Sequence, residues 1–230
     1  MGVWFMGVLA LVGATACIRL GIWQLDRLAQ RRARNAITRA RIAEPAVDVR
    51  TLLGDTAALR FRRATVTGVT SAAMEFAWAG RSRNGSPGVN LLTAVSLGDS
   101  LPLVVINRGW VYSPDGSRVD LARWREGDTV RVTGYVEPFA GRLAGRWRAS
   151  TAPRSVRWMD ADSLRALLGR PVVPFLVVVA GDTAPGDAAR MARIPPPPLD
   201  EGPHQSYAMQ WFAFASIAVL GYGAFLWNAR

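Results

Sequence analysis

Lysine is missing from this 230-residue chain: all 28 basic side chains are arginine. Cysteine and histidine occur once each, as Cys17 and His204. A lone cysteine excludes an intrachain disulfide, a CxxC metal site and a CxxCH haem attachment. One Cys and one His cannot complete a zinc site of nitrogen and sulfur ligands within one chain, so no zinc or copper site is expected. Cys17 lies inside an apolar run, where a thiol behaves as a small hydrophobe. A nucleophile–base pair would have to recruit His204, which is far in sequence from any glycine-flanked serine. GxSxG, Walker and GxGxxG patterns are absent. "DGSRVD" around Asp115 lacks the later acidic positions of a calcium loop and reads as a turn. Asp160 and Asp162 read as helix capping rather than an acid pair. These absences point to a non-enzyme.

Acidic residues are also scarce, 17 against 28 basic, giving a formal charge of +11 and a pI near 11.4. Such a balance suits nucleic acid. The arginines are spread along the chain, however, with no helix-turn-helix, zinc-finger or RNA-binding signature. Anionic lipid head groups or acidic ligands account for the charge about as well. The reading taken is a lipid bilayer partner and no nucleic acid.

What the chain does contain is two long apolar runs. The first has no charge from Gly2 to Ile18, 17 residues, near the lower limit for crossing about 30 Å of hydrocarbon. "LGIWQL" continues it past Arg19, which can snorkel, with Trp23 suited to the interface. Ala14 and Ala16 form an A-x-A cleavage pattern, but the basic n-region of a signal peptide is missing before Arg19. The expectation is an uncleaved anchor over 1–25. The second run, Ala208 to Trp227, is 20 residues without charge, with Tyr207, Trp211, Tyr222 and Trp227 as aromatic flanks. Gly202 is a suitable N-cap and Pro203 a suitable first helical residue, which predicts a membrane helix over 203–228.

Between the anchors, residues 26–59 begin with an arginine-rich helix. Its apolar face is narrow, which predicts a solvated or lipid-facing stem. Residues 60–192 read as a β-rich domain. "RFRRATVTGV", "MEFAWAG", "GVNLLTAVSL", "PLVVINRGWVY", "TVRVTGYVE" and "VVPFLVVVAG" are strand-like, and "RSRNGSPG" joins the second and third as a hairpin. Asp160 caps a predicted helix, "ADSLRALL", that Gly169 ends. Residues 193–202 hold "RIPPPP", an extended connector. The fold class is therefore an α+β membrane protein: two transmembrane helices flank a mainly antiparallel β domain, a curled sheet or barrel, with short helices.

One segment, "INRGWVY", invites a chemical reading. Arg108 could offer its guanidinium fork to a ligand or partner carboxylate or phosphate, with Trp110 as a flat wall. The simpler reading is a strand leaving the core through a glycine kink.

Taken together, "LGIWQLDRL", "RNGSPGVNLLTAV", "VINRGWV", "VTGYVE" and "PHQSYAMQWFAFA" resemble the Surfeit locus protein 1 family, membrane-anchored assembly factors of haem–copper cytochrome oxidases. The resemblance covers essentially the whole chain, although the family's Asn-x-His or Asn-Pro-His lead-in is replaced here by "LDEGP". It implies assistance in building the oxidase's catalytic subunit, with that subunit and other assembly factors as partners. It also implies haem a as a transient cofactor, with His204 as candidate iron ligand. On a helix starting at Pro203, Tyr207, Ala208 and Trp211 share a face with His204, so Tyr207 and Trp211 could flank a porphyrin. A cofactor-free membrane scaffold that holds oxidase subunits together is the alternative. The resemblance places the chain in the bacterial inner membrane as a two-pass protein, its β domain periplasmic and both termini cytoplasmic. The arginines after the first anchor argue the opposite orientation, but the positive-inside rule is weak for so long a loop.

Overall fold

The computed structural model describes residues 2–54, 59–139, 152–181 and 190–228. Residues 55–58, 140–151 and 182–189, which the sequence reading assigns to the stem and the β-rich domain, lie outside the described residues. In chain order the elements are α1 (Val3–Ala43), β1 (Val47–Asp48), β2 (Arg63–Val69), β3 (Glu75–Arg83), β4 (Ser86–Val95), β5 (Leu103–Tyr112), β6 (Thr129–Pro138), β7 (Ser155–Val156), α2 (Ala161–Leu168), β8 (Val172–Val179) and α3 (His204–Asn228). The chain divides into two compact units, residues 1–40 with 198–230 and residues 41–197.

The first unit is an antiparallel pair of helices, each long and apolar enough to cross a membrane. α1 continues without a break through the arginine-rich stretch. Gly7, Ala14, Gly21 and Leu28 recur every seven residues on α1, and Ala14, Gly21 and Leu28 are buried. Ala208, Ala215 and Tyr222 repeat the interval on α3, where both alanines are buried. A Cβ at Gly7 would lie 2.5 Å from the Tyr222 hydroxyl, and one at Gly21 2.5 Å from the Phe212 ring. Small residues therefore let the helices approach closely, as they do in lipid, and the seven-residue period suits a left-handed crossing. Leu9, Leu11, Val12, Ile217 and Leu220 stay exposed on the outer faces, where hydrocarbon would cover them.

The stem's exposed arginines reach the segment that leads into α3. Arg31 donates from Nε to the Asp200 carbonyl and from Nη2 to the Asp200 carboxylate, both at 3.0 Å. Arg32 makes a two-pronged pair with Glu201, both contacts 2.8 Å. The Asn35 amide donates to the carbonyls of Leu199 and Asp200. The stem thus clasps the "LDE" lead-in to α3. That helix starts at His204, one residue later than a Gly202 cap implies, and the Pro203 carbonyl accepts the Tyr207 N–H at 3.1 Å.

The second unit is an eight-stranded sheet in the order β1-β2-β6-β8-β5-β4-β3-β7. All six strand-like segments form strands, and the four pairings β2–β6, β6–β8, β3–β4 and β4–β5 are antiparallel. β5–β8 is parallel, as are the two short edge pairings β1–β2 and β3–β7. Asn84 and Gly85 make the β3–β4 hairpin turn, both at positive φ (51° and 79°), the conformation that an Asn-Gly pair adopts readily. The sheet curls on itself: Val69 and Ser96 exchange backbone hydrogen bonds of 3.0 and 2.8 Å. This bridge joins β2 to β4 and closes β2-β6-β8-β5-β4 into a ring.

Alternation along the strands sorts the buried apolar residues into two large clusters, beside a smaller third of Ala77, Val89, Leu91 and Val111. Val104 and Ile106 of β5 join Val66, Val95, Val136, Phe175 and Val177 in one cluster. Leu103 and Val105 turn the other way, to Leu92, Leu176, Val178 and Leu164 of α2. Strands buried on both faces carry near-continuous apolar runs, hence "VVPFLVVV". α2 has the predicted limits. The Asp160 carboxylate accepts the Ser163 N–H, and Gly169 ends the helix in the left-handed region at φ 71°.

Candidate functional site

His204 lies in the first turn of α3, half-buried, with Nδ1 2.8 Å from Gln24 Oε1 of α1. With that oxygen accepting, the imidazole proton sits on Nδ1 and the Nε2 lone pair is free. A partner on one ring nitrogen fixes tautomer and ring orientation, and metal-binding histidines use this arrangement routinely. Tyr207 is 46% exposed and Trp211 is partly exposed, its ring edge-on to Phe214 at 5.9 Å. Ala208, on the same turn, is fully buried. His204 therefore stands between the α1 contact and the partly exposed rings of Tyr207 and Trp211. Trp23, beside Gln24, is exposed and carries the Arg27 guanidinium 5.4 Å from its ring centroid. Among the described residues no three His, Cys, Asp or Glu side chains converge as a metal set. A single imidazole is nevertheless a sufficient protein ligand for haem iron, and His204, with its second nitrogen held, fits that role.

Arg108 and Trp110 are both buried, at 5% exposure each, but they line different cavities. Two residues apart on a regular strand would share a face. Here Leu91 pairs with Gly109 and Leu92 with Asn107, so Arg108 is the extra residue of a β-bulge that turns Trp110 to the opposite side. Gly109 makes the bulge possible. It holds φ at 147°, and a Cβ there would lie 2.5 Å from the Ala192 carbonyl oxygen. That close approach lets Trp110 exchange backbone hydrogen bonds with Ala192 at 2.7 and 2.8 Å. Trp110 then borders a cavity of about 410 Å³ with Arg81, Asn90, Ile194 and Pro195.

Arg108 points into the other cavity. Its Nη2 donates to the Trp124 carbonyl, and Nη1 lies 3.6 Å from Glu75 Oε1. Burial pushes the Glu75 carboxyl above its ordinary value, against the pull of Arg108, and the same burial lowers the Arg108 guanidinium. Sequence reasoning missed Gln24, Glu75 and Thr93. Gln24 alone had a signal, as the one uncharged side chain in "LGIWQLDRL" that can accept a hydrogen bond.

The SURF1 family model matches residues 11–216. Uncharacterized SURF1-like proteins of Mycobacterium tuberculosis and Mycobacterium bovis are each 27% identical over 211 residues, covering 90% of this chain and 76% of theirs. A SURF1-like protein of Monosiga brevicollis is 23% identical over 211 residues, covering 87% of this chain and 79% of its own.

Proposed function

The chain belongs to the SURF1 family of cytochrome oxidase assembly factors, and from that premise we propose that it handles haem a for the oxidase's catalytic subunit, with His204 as the iron ligand. The observation that supports this reading is the Gln24–His204 pair, which leaves Nε2 unengaged beside an exposed aromatic flank. Haem, when bound, supplies an iron that takes an axial nitrogen. In this chain Gln24 orients the imidazole, His204 offers Nε2, and Tyr207 and Trp211 provide flat apolar surface for the macrocycle. The Trp23–Arg27 pair next to Gln24 has the amphipathic chemistry of a membrane interface. An interfacial ligand suits a molecule whose hydrocarbon tail belongs in lipid and whose propionates belong in water. The proposed topology is two passes of the bacterial inner membrane, the β domain periplasmic, with the oxidase's catalytic subunit as client.

Oxidase from cells that lack this protein tests the proposal. Haem a per catalytic subunit should fall, and be restored by the wild-type chain but not by His204→Ala. Full restoration by His204→Ala would favour a cofactor-free scaffold and overturn the ligand assignment.

A further inference from the structure

A second site lies at one end of the sheet ring, where a cavity of about 170 Å³ opens beside Glu75, Thr93 and Arg108. All three residues are more than nine-tenths buried, at 3%, 1% and 5% exposure. Each contributes a polar atom with no hydrogen-bond partner: Glu75 Oε1, Thr93 Oγ1 and Arg108 Nε. An unsatisfied buried polar group costs about 1–3 kcal/mol, and native interiors hold few of them. Three around one void imply an occupant. An enclosed cavity of about 150 Å³ is known to take up a benzene-sized molecule, so the space exceeds a single water. Ile106, Val130 and Val132 give the same cavity an apolar wall, and Glu126 and Arg131 stand at its exposed side.

The donor set specifies the chemistry. Arg108 Nε can only donate, Glu75 Oε1 as a carboxylate can only accept, and the Thr93 hydroxyl can do either. The inner pair carries one charge of each sign, and Arg125, Arg154 and Arg193 add positive charge around it. The ligand must still offer a donor to the Glu75 carboxylate, which a second carboxylate cannot do. A neutral group with an acceptor and a donor on one carbon can serve all three orphans together. We propose that this cavity is a binding site for a primary carboxamide, its oxygen accepting from Arg108 Nε and the Thr93 hydroxyl and its NH2 donating to Glu75. The group can come from a free small amide or from an Asn or Gln side chain of a partner protein. The site is independent of His204 and of the haem reading.

The test uses the full-length protein in detergent micelles with isoleucine methyl groups labelled for NMR. Ile106 lines the cavity, and Ile194, which lines the separate Trp110 cavity, serves as the internal reference. Acetamide should shift the Ile106 methyl along a saturating curve and leave Ile194 in place. Acetate and guanidinium at equal concentration should give no saturable shift. Thr93→Val, close to isosteric, should weaken acetamide binding about tenfold, the loss of one hydrogen bond. N-acetylasparagine methylamide separates the two sources. Tighter binding than acetamide assigns the site to a protein side chain, whereas exclusion with acetamide still bound assigns it to a free small molecule. A linear drift with acetamide, as expected if the cavity holds water only, would overturn the proposal. Equal binding of acetate, or unchanged acetamide affinity in Thr93→Val, would do the same.

Discussion

His204 Nδ1 and Gln24 Oε1 meet at 2.8 Å although 180 residues separate them. The contact orients the imidazole: with the Gln24 oxygen accepting, the Nδ1 proton has a fixed acceptor and Nε2 keeps its lone pair. Gln24→Leu keeps the size of the side chain and removes the acceptor. Loss of such an outer partner costs about 10–100-fold in metal affinity, so haem binding should weaken by that range with the helix pair intact. Haem titration alongside circular dichroism checks both halves of the expectation.

The buried Arg108–Glu75 pair yields a stability prediction. Removing one member of such a pair costs about 3–5 kcal/mol, because the other charge is left uncompensated. Arg108→Met should therefore destabilise the domain strongly, and adding Glu75→Gln should recover most of the loss. The pH dependence has a definite sign. Glu75's folded pKa is raised by burial, so ionising it costs the folded state stability as pH climbs through the ordinary carboxylate value towards the raised one. Arg108 opposes that rise, so its removal widens the window. The Arg108→Met penalty should be smaller in acid than at neutral pH, as urea unfolding at the two pH values would report.

Gly109→Ala should open the bulge. Its φ of 147° strains any other residue, and the added Cβ would press on the Ala192 carbonyl. A cost of about 1–3 kcal/mol is expected, with faster amide exchange at Trp110 and Ala192, whose N–H groups are bonded to each other's carbonyls.

The clasp between stem and lead-in should be acid-sensitive. The Arg32 guanidinium holds the Glu201 carboxyl below its ordinary value. A depressed carboxyl stabilises above the unfolded pKa and stops doing so as pH falls through the folded one. Amide exchange over 199–202 should accelerate only in that acidic window, and Arg32→Gln should make it fast at neutral pH. Exchange in wild type that is already fast at neutral pH would contradict the clasp.

These particulars mark how much was legible in the chain. The strands were readable from Val- and Thr-rich segments divided by turn residues, the β3–β4 turn from Asn84-Gly85, and α2 from Asp160 and Gly169. Each of those signals is local. The ring closure at Val69–Ser96, the parallel β5–β8 pairing and the two-residue edge strands depend on partners distant in sequence and leave no local trace. The stem's ion pairs were missed for the same reason: Arg31 and Asp200 lie 169 positions apart. Arg108 and Trp110 looked like one site because alternate strand residues share a face, and a single bulge parted them. His204 could be singled out as the lone imidazole at the edge of an apolar run, but the partner that orients it could not.

Sidedness is tested with reporters. One active only in the periplasm should function when inserted at the Asn84–Gly85 turn, which is exposed, and fail when fused after α3. The reverse pattern would place the β domain in the cytoplasm and move His204 to the opposite face.

Haem titration of the purified full-length chain, wild type against His204→Ala, reaches the central claim most directly. The account predicts a saturable Soret change ending at one haem per chain for wild type. For His204→Ala it predicts loss of that change, or affinity weaker by at least about a hundredfold, on the order of 2.7 kcal/mol. Equal haem binding by the two proteins would contradict it.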